Sequence, residues 1–158
     1  MSVHRYILAL GSNMRVPGIG NPRRVLAATL DAMAEREIEV IAASRIMSSR
    51  PVGPSQRLYA NGAALVEAPH NPETMLEELQ AIERQFGRKR RGSRWRGRPL
   101  DLDIVLWSGG VWLSPQLTIP HPLFRQRDFV AGPAARIAAD WRDPVTGLTL
   151  RQIAARVS

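Results

Sequence analysis

Apolar and polar positions along this chain follow two periods, and the switches between them mark its elements. Arg5–Leu10 carries a continuous apolar run, short enough for a buried strand, and it stops at Gly11-Ser12-Asn13, a turn signal. Asn21-Pro22 offers an N-cap followed by a proline at the first helical position. Leu26, Leu30 and Met33 then recur at helical spacing, which predicts a helix to about Glu35. Ile38–Ile46 returns to a period of two, with Val40, Ala42 and Ser44 on one face and Ile41, Ala43 and Arg45 on the other. Tyr59–Ala68 reads as a further strand, weakened at Gly62. Asn71-Pro72 repeats the cap, and Met75, Leu79, Ile82 and Phe86 mark a second helix closed by Gly87. Val111-Trp112 reads as a short strand and Leu150–Val157 as a small terminal helix. Met14–Gly20 and Arg50–Leu58 are rich in glycine and proline and read as loops.

Between the second helix and Val111 lies the segment that carries chemistry, Arg94–Trp107, which reads RWRGRPLDLDIVLW. Leu100, Leu102, Ile104 and Leu106 alternate with Asp101, Asp103, Val105 and Trp107, so the segment reads as a strand with one aliphatic face and one that begins with two carboxylates. Residues two apart on a strand lie roughly 6.5–7 Å apart on the same side. Two ionised carboxylates at that spacing repel by roughly 2 kcal/mol at an effective dielectric near 20. Two compensations are open, a hard divalent cation or the basic residues just upstream. The order β-α-β-β-α-β, with additions at the C-terminus, predicts an α+β ferredoxin-like sandwich in one domain spanning residues 1–158.

Charge sharpens this picture. The chain has 158 residues and a formal net charge of +8, which favours anionic partners. Much of the excess sits in one block, where Arg84, Arg88, Lys89, Arg90, Arg91, Arg94, Arg96 and Arg98 occur without an intervening acid. Nucleic acid would account for the arginines but not for the aspartates that follow. A metal–polyphosphate ligand accounts for both, because arginine forks and a carboxylate-held metal bind different phosphate oxygens. Cysteine is absent, which excludes disulfides and thiolate metal sites. Tyr6–Leu10 is far too short for a signal or spanning helix, so the expectation is a cytoplasmic protein without a membrane or nucleic-acid partner.

The segment closely resembles the signature of the hydroxymethyl-dihydropterin pyrophosphokinase family, usually RWGPRTLDLDI. Arg94, Trp95, Arg98, Leu100, Asp101, Leu102, Asp103 and Ile104 match it. Arg96-Gly97 stands in place of Gly-Pro, and Pro99 in place of Thr. The first strand, ending in GSN, and the Pro120-His121 pair also match, so the resemblance runs from Leu8 to about Pro133. It implies a magnesium-dependent enzyme, expected to be a monomer, that transfers pyrophosphate from ATP to the hydroxymethyl group of a dihydropterin in folate synthesis.

The resemblance also implies roles, residue by residue. Asp101 and Asp103 would hold two Mg²⁺, with Asp101 also at the pterin, and Arg88, Arg98, His121 and Arg127 would clamp phosphates. Gln80, Glu83, Arg90, Ile104 and Thr118 would contact the nucleotide. The pterin would lie between Tyr59 and Phe129, bonded along its edge by Asn61 and by the backbone of Ser49–Gly53, including Pro51, Val52 and Gly53, with Trp95 closing over it. Read without the resemblance, Tyr59 and Phe129 are core residues, Asn61 belongs to a turn, Gln80 and Glu83 share a solvated helix face, and His121 is one exposed histidine. Arg50 replaces a usual proline, Gln116 an arginine, and Pro122 an aromatic residue of the family pattern. His4 and His70 match nothing and read as surface residues. Loops at Gly11–Gly20, Arg50–Leu58 and Arg88–Gly97 are expected to close over the substrates, with Trp95 moving inward. Two rivals remain: a degenerate paralogue that binds without turnover, and a basic RNA-binding module of the same strand order. The latter would need an aromatic stacking platform that the central strands lack.

Overall fold

The computed structural model describes residues 2–49, 59–87 and 99–158. Its strands are β1 (His4–Ser12), β2 (Glu39–Ala43), β3 (Met47–Ser49), β4 (Tyr59–Ala68), β5 (Asp101–Trp107), β6 (Trp112–Ser114) and β7 (Leu117–Ile119). Its α-helices are α1 (Pro22–Met33), α2 (Pro72–Gln85), α3 (Asp128–Ile137) and α4 (Leu150–Val157). The main sheet is antiparallel in the order β2-β4-β1-β5, with β3 pairing the start of β4, while β6 and β7 form a separate hairpin.

β1 runs through the middle and is buried on both faces, which is why its sequence is a continuous apolar run. Tyr6, Leu8 and Leu10 pack with Val25, Leu26, Met75, Leu79 and Ile82 under α1 and α2. Ile7 and Ala9 pack with Ala131, Ala134, Leu150 and Ile153 under α3 and α4. Both predicted caps are present: the Asn21 side chain accepts from the Arg24 amide at 3.0 Å and Asn71 from that of Thr74 at 2.9 Å.

Several expectations change. Gly11 and Ser12 extend β1, because β4 offers them Asn61 and Ala60 as partners. The loop that follows is a compact turn in which Val16 and Gly20 bond each other and Val16 and Ile19 pack on the core. Ile38–Ile46 is a shorter strand, and β3 takes over beside β4 after a break. His4 and His70 are half-buried and bonded: His4 Nδ1 accepts from the Trp107 indole at 3.1 Å, and His70 Nε2 meets the Arg36 carbonyl at 2.8 Å. The helix α3 was not expected, since Gly132-Pro133 lies inside it. Fully buried Ala131 and Ala134 press it onto the sheet, and that packing overrides the local breaker.

The largest departure is in β5. β1 residues Ile7 and Leu8 pair with Leu106 and Ile104, leaving Val105 as an extra residue on β5. Such a bulge shifts the inside–outside alternation by one. Leu100, Leu102 and Ile104 therefore face α1 and α2 as expected, but Leu106 crosses to the other core and Trp107 takes its place beside Trp112.

At the C-terminal end, the fully buried Asp143 carboxylate receives the Arg125 fork at 2.5 and 2.9 Å, the Thr146 hydroxyl at 2.7 Å and the Val145 amide at 3.0 Å. Burial pushes this carboxyl up, but those donors, Arg125 first, outweigh it and hold it at about 2. An unfolded aspartate titrates near ~3.9, so the stabilisation is complete above that value and is lost as pH falls toward the folded one. The expected result is a gap in thermal midpoint between the wild type and Asp143→Asn that is constant from pH 7 to about 4 and closes toward pH 2. A gap that stays constant down to pH 2 would show that the charge of Asp143 is not what stabilises this corner.

Candidate active site

The site lies between the N-terminal end of α3 and the ends of β1, β4 and β5. Directly opposed residues of antiparallel strands share a face, and Asn61, Gly11 and Asp101 form one such row across β4, β1 and β5. Ala63, Ala9 and Asp103 form the next. The middle of this floor is thus built from glycine and alanine, with polar groups at its sides. A Cβ on Gly11 would sit 3.6 Å from Asn61 Oδ1, so a larger side chain there would fill the space between Asn61 and Asp101. Tyr59, two residues before Asn61 on β4, adds an aromatic ring to the same side. From above, the N-cap and first turn of α3 supply Arg127 and Phe129, and the Arg127 guanidinium lies 5.8 Å from the Phe129 ring centre. Tyr59, Asn61, Asp101, Asp103, Arg127 and Phe129 consequently line one depression.

This geometry departs from the reading of these residues taken alone. Phe129 is 36% exposed and Tyr59 half-buried, so neither belongs to the core. Asn61 is buried inside a strand, not placed in a turn. The residues facing Tyr59 and Asn61 from the edge are Ser49 and Met47 of β3, and β3 is tied to α1 by Arg23, whose guanidinium donates to the Ile46 carbonyl at 2.9 Å.

His121 reaches the site through the bulge. Its backbone N–H donates to the Val105 carbonyl at 3.0 Å, and its Nδ1 accepts from the Leu123 amide at 3.1 Å. Burial lowers the tendency of this imidazole to protonate; Asp103 opposes the shift, Arg127 adds to it, and Asp101 opposes it more weakly. The half-buried ring therefore belongs to the same electrostatic neighbourhood as both carboxylates and Arg127.

The remaining nucleotide candidates lie toward the other side of β5. Glu83 is 7% exposed, not on a solvated face, and its carboxylate accepts the Leu102 N–H at 2.8 Å, between Asp101 and Asp103. The Ile104 side chain is buried in the core beneath α1 and α2, so only its main chain is placed to meet a ligand. Thr118 is exposed on the β6–β7 hairpin and Gln80 half-buried on α2; neither lines the depression. Arg88, Arg90, Trp95 and Arg98, the substrate loop with Pro51, Val52 and Gly53, and the closures expected of both loops lie outside the described residues.

The chemistry of this donor set is definite. Asp101 and Asp103 present hard oxygen ligands on one side of a strand, which suits Mg²⁺ and leaves coordination positions for phosphate oxygens and water. Among the described residues, no group of three or more His, Asp or Glu side chains could hold a metal ion, so a metal here would need ligands beyond such a cluster. Sequence reasoning missed Asp143 and Arg23, which touch segments of the site without lining it. The adjacent aspartate and proline at Asp143-Pro144 were a turn signal that could have drawn attention to the first.

Residues 7–139 match the sequence profile described as 7,8-dihydro-6-hydroxymethylpterin-pyrophosphokinase. Relatives named 2-amino-4-hydroxy-6-hydroxymethyldihydropteridine pyrophosphokinase include that of Synechocystis sp., 36% identical over 98% of this chain and 76% of its own length. The Pseudomonas aeruginosa protein of the same name is 38% identical over 90% of this chain and 85% of its own. Among solved structures, Plasmodium falciparum HPPK-DHPS wild type with SDX-DHP is similar in fold, with a TM-score of 0.71 at 12% identity. That alignment covers 98% of this chain and 44% of the larger one.

Proposed function

We propose how this site works from one premise: the chain belongs to the 7,8-dihydro-6-hydroxymethylpterin-pyrophosphokinase family. It is a pyrophosphokinase of folate biosynthesis, and its family uses ATP as co-substrate. In the reading we favour, the acceptor is 6-hydroxymethyl-7,8-dihydropterin and the products are AMP and the pterin diphosphate. The fold is of the ferredoxin-like kind, which the β2-β4-β1-β5 order and the two helices on one face support.

One observation carries the site assignment: the two carboxylates and the two aromatic rings share one depression, with Asn61 between them. A flat heterocycle with an amide-like edge fits between Tyr59 and Phe129, with the Asn61 amide able to donate and accept at that edge. The same floor brings its hydroxymethyl group toward Asp101 and Asp103. Asp101 and Asp103 would hold Mg²⁺, two ions in our reading, which when bound neutralises the triphosphate and orients its oxygens. Arg127 and His121 face the phosphates, and the family resemblance alone assigns Arg88 and Arg98 to the same role. The pterin hydroxyl oxygen bonds to the β-phosphorus, the bond from that phosphorus to the α-phosphate oxygen breaks, and the hydroxyl proton departs. What the chain contributes is alignment and charge compensation more than covalent chemistry.

Incubating the protein with MgATP should yield AMP only when the hydroxymethyl-dihydropterin is present; AMP without pterin, or none with it, would sink the assignment. The aromatic pair gives a finer expectation. Tyr59→Ala and Phe129→Ala should each weaken binding of a non-reactive pterin analogue by about 1–3 kcal/mol while leaving the affinity for MgATP within twofold. Calorimetric titration reads both, and unchanged pterin affinity in the two variants would remove the rings from the substrate site.

A further inference from the structure

The phosphate-facing side chains His121 and Arg127 stand on a short irregular segment, and something must hold it still. Its start is fixed by the bond from the His121 amide to the bulge carbonyl of Val105, and its end by α3. Between these lies the 3-10 turn Phe124–Gln126, with Phe124 fully buried under the sheet. Arg125, next to Phe124, does not face the depression but reaches back to Asp143 in a two-pronged contact. The Asp143 end is rigid in turn. The Asp143 amide donates to the Leu148 carbonyl, its carbonyl accepts from Gly147, and Thr149 caps α4, whose Leu150 and Ile153 are buried in the same core. The segment between α3 and α4 is thus a closed loop with one buried carboxylate at its centre, and Arg125 is its link to the turn.

We propose that Asp143, acting through Arg125, is a positioning residue that sets the placement of His121 and Arg127 toward the triphosphate. The inference rests on the phosphate-facing reading of those two residues given above. Two features favour it over a purely structural knot. The pair sits two residues from Arg127, so a fork anchored at both oxygens limits rotation of the turn that carries it. It also compensates the charge of Arg125, so that Arg127 acts on His121 without a second uncompensated cation beside it.

The test compares wild type with Arg125→Lys, Asp143→Asn and the milder Thr146→Val, which removes one donor to the carboxylate and keeps both charges. Met33→Ala, in the core at the far end of α1, serves as a destabilised control. Affinity for a complex of Mg²⁺ with α,β-methylene-ATP is read by calorimetry, and KM and kcat from AMP release. Arg125→Lys and Asp143→Asn should lose roughly ten- to a hundredfold in kcat/KM for MgATP, with a weaker analogue Kd, because small misplacements of aligned groups cost that much. Thr146→Val should fall between them and wild type, and pterin-analogue affinity should change less than twofold in all three. Met33→Ala should keep wild-type Kd and KM despite a lower melting point. Wild-type Kd and KM in the folded Arg125 and Asp143 variants, or in Thr146→Val should those two not fold, would overturn the positioning role while leaving the site reading intact. A wild-type protein that neither binds the analogue nor releases AMP would instead overturn the site reading, and this inference with it.

Discussion

Asp101→Asn and Asp103→Asn are each expected to reduce AMP formation by more than about a thousandfold, some 4 kcal/mol in the barrier, without loss of the fold. The two effects separate because of where the carboxylates stand. Both project into the depression from β5 while Leu100, Leu102 and Ile104 of the same segment carry the packing against α1 and α2. An amide keeps the size and shape of each side chain and leaves that packing untouched, so the thermal midpoint should change by no more than a few degrees. That combination, lost turnover with nearly unchanged stability, marks residues that serve the site and not the scaffold. Turnover within tenfold of wild type in both variants would remove the metal-binding role, and a collapse in stability would mean that the carboxylates hold the fold instead.

Deleting Val105 is expected to loosen His121 while leaving the register of the strand intact. Without the extra residue, β5 would run in regular alternation with Leu106 still opposite Ile7 and Ile104 opposite Leu8, so Leu106 and Trp107 keep their faces. The Val105 side chain is buried beside Leu106, and losing it costs about 1.5–3 kcal/mol. The carbonyl that holds His121 would also go. With total stability of a protein this size at about 5–15 kcal/mol, the deletion should remain folded, melt about 5–10 °C lower and bind MgATP more weakly. By contrast, Val105→Ala keeps the bulge and the carbonyl, and should retain the binding of MgATP at reduced stability. Equal melting points for the deletion and the wild type would show that the bulge is dispensable.

Read in order, the residues already contained most of the frame. The Asn-Pro pairs at 21–22 and 71–72, the helical spacing behind each, and the continuous apolar run of β1 are local signals, and local signals survive in any context. The motif around Asp101 and Asp103 was equally plain, because carboxylates alternating with aliphatic residues conflict with ordinary strand chemistry and demand a reason. What the sequence hid depends on neighbours distant in the chain. The period of Leu100–Trp107 suggested one regular strand; its bulge exists because two cores, under different helix pairs, each take a large side chain from its end. The helix α3 was masked by Gly132-Pro133, since only burial of Ala131 and Ala134 against β1 and β4 makes a helix worth forming there. Tyr59, Phe129 and Asn61 looked like core and turn when taken singly, and their grouping required β4 and α3 to meet. The sequence by itself determined β1, β4 and β5, the helices α1 and α2 with their caps, and the position of the carboxylate pair, because each is encoded within one or two turns of chain. The tertiary structure alone decided which face each residue serves, which arginine is bound away by Asp143 and which faces the site, because those choices are made by the competition of side chains for two cores on either side of one sheet.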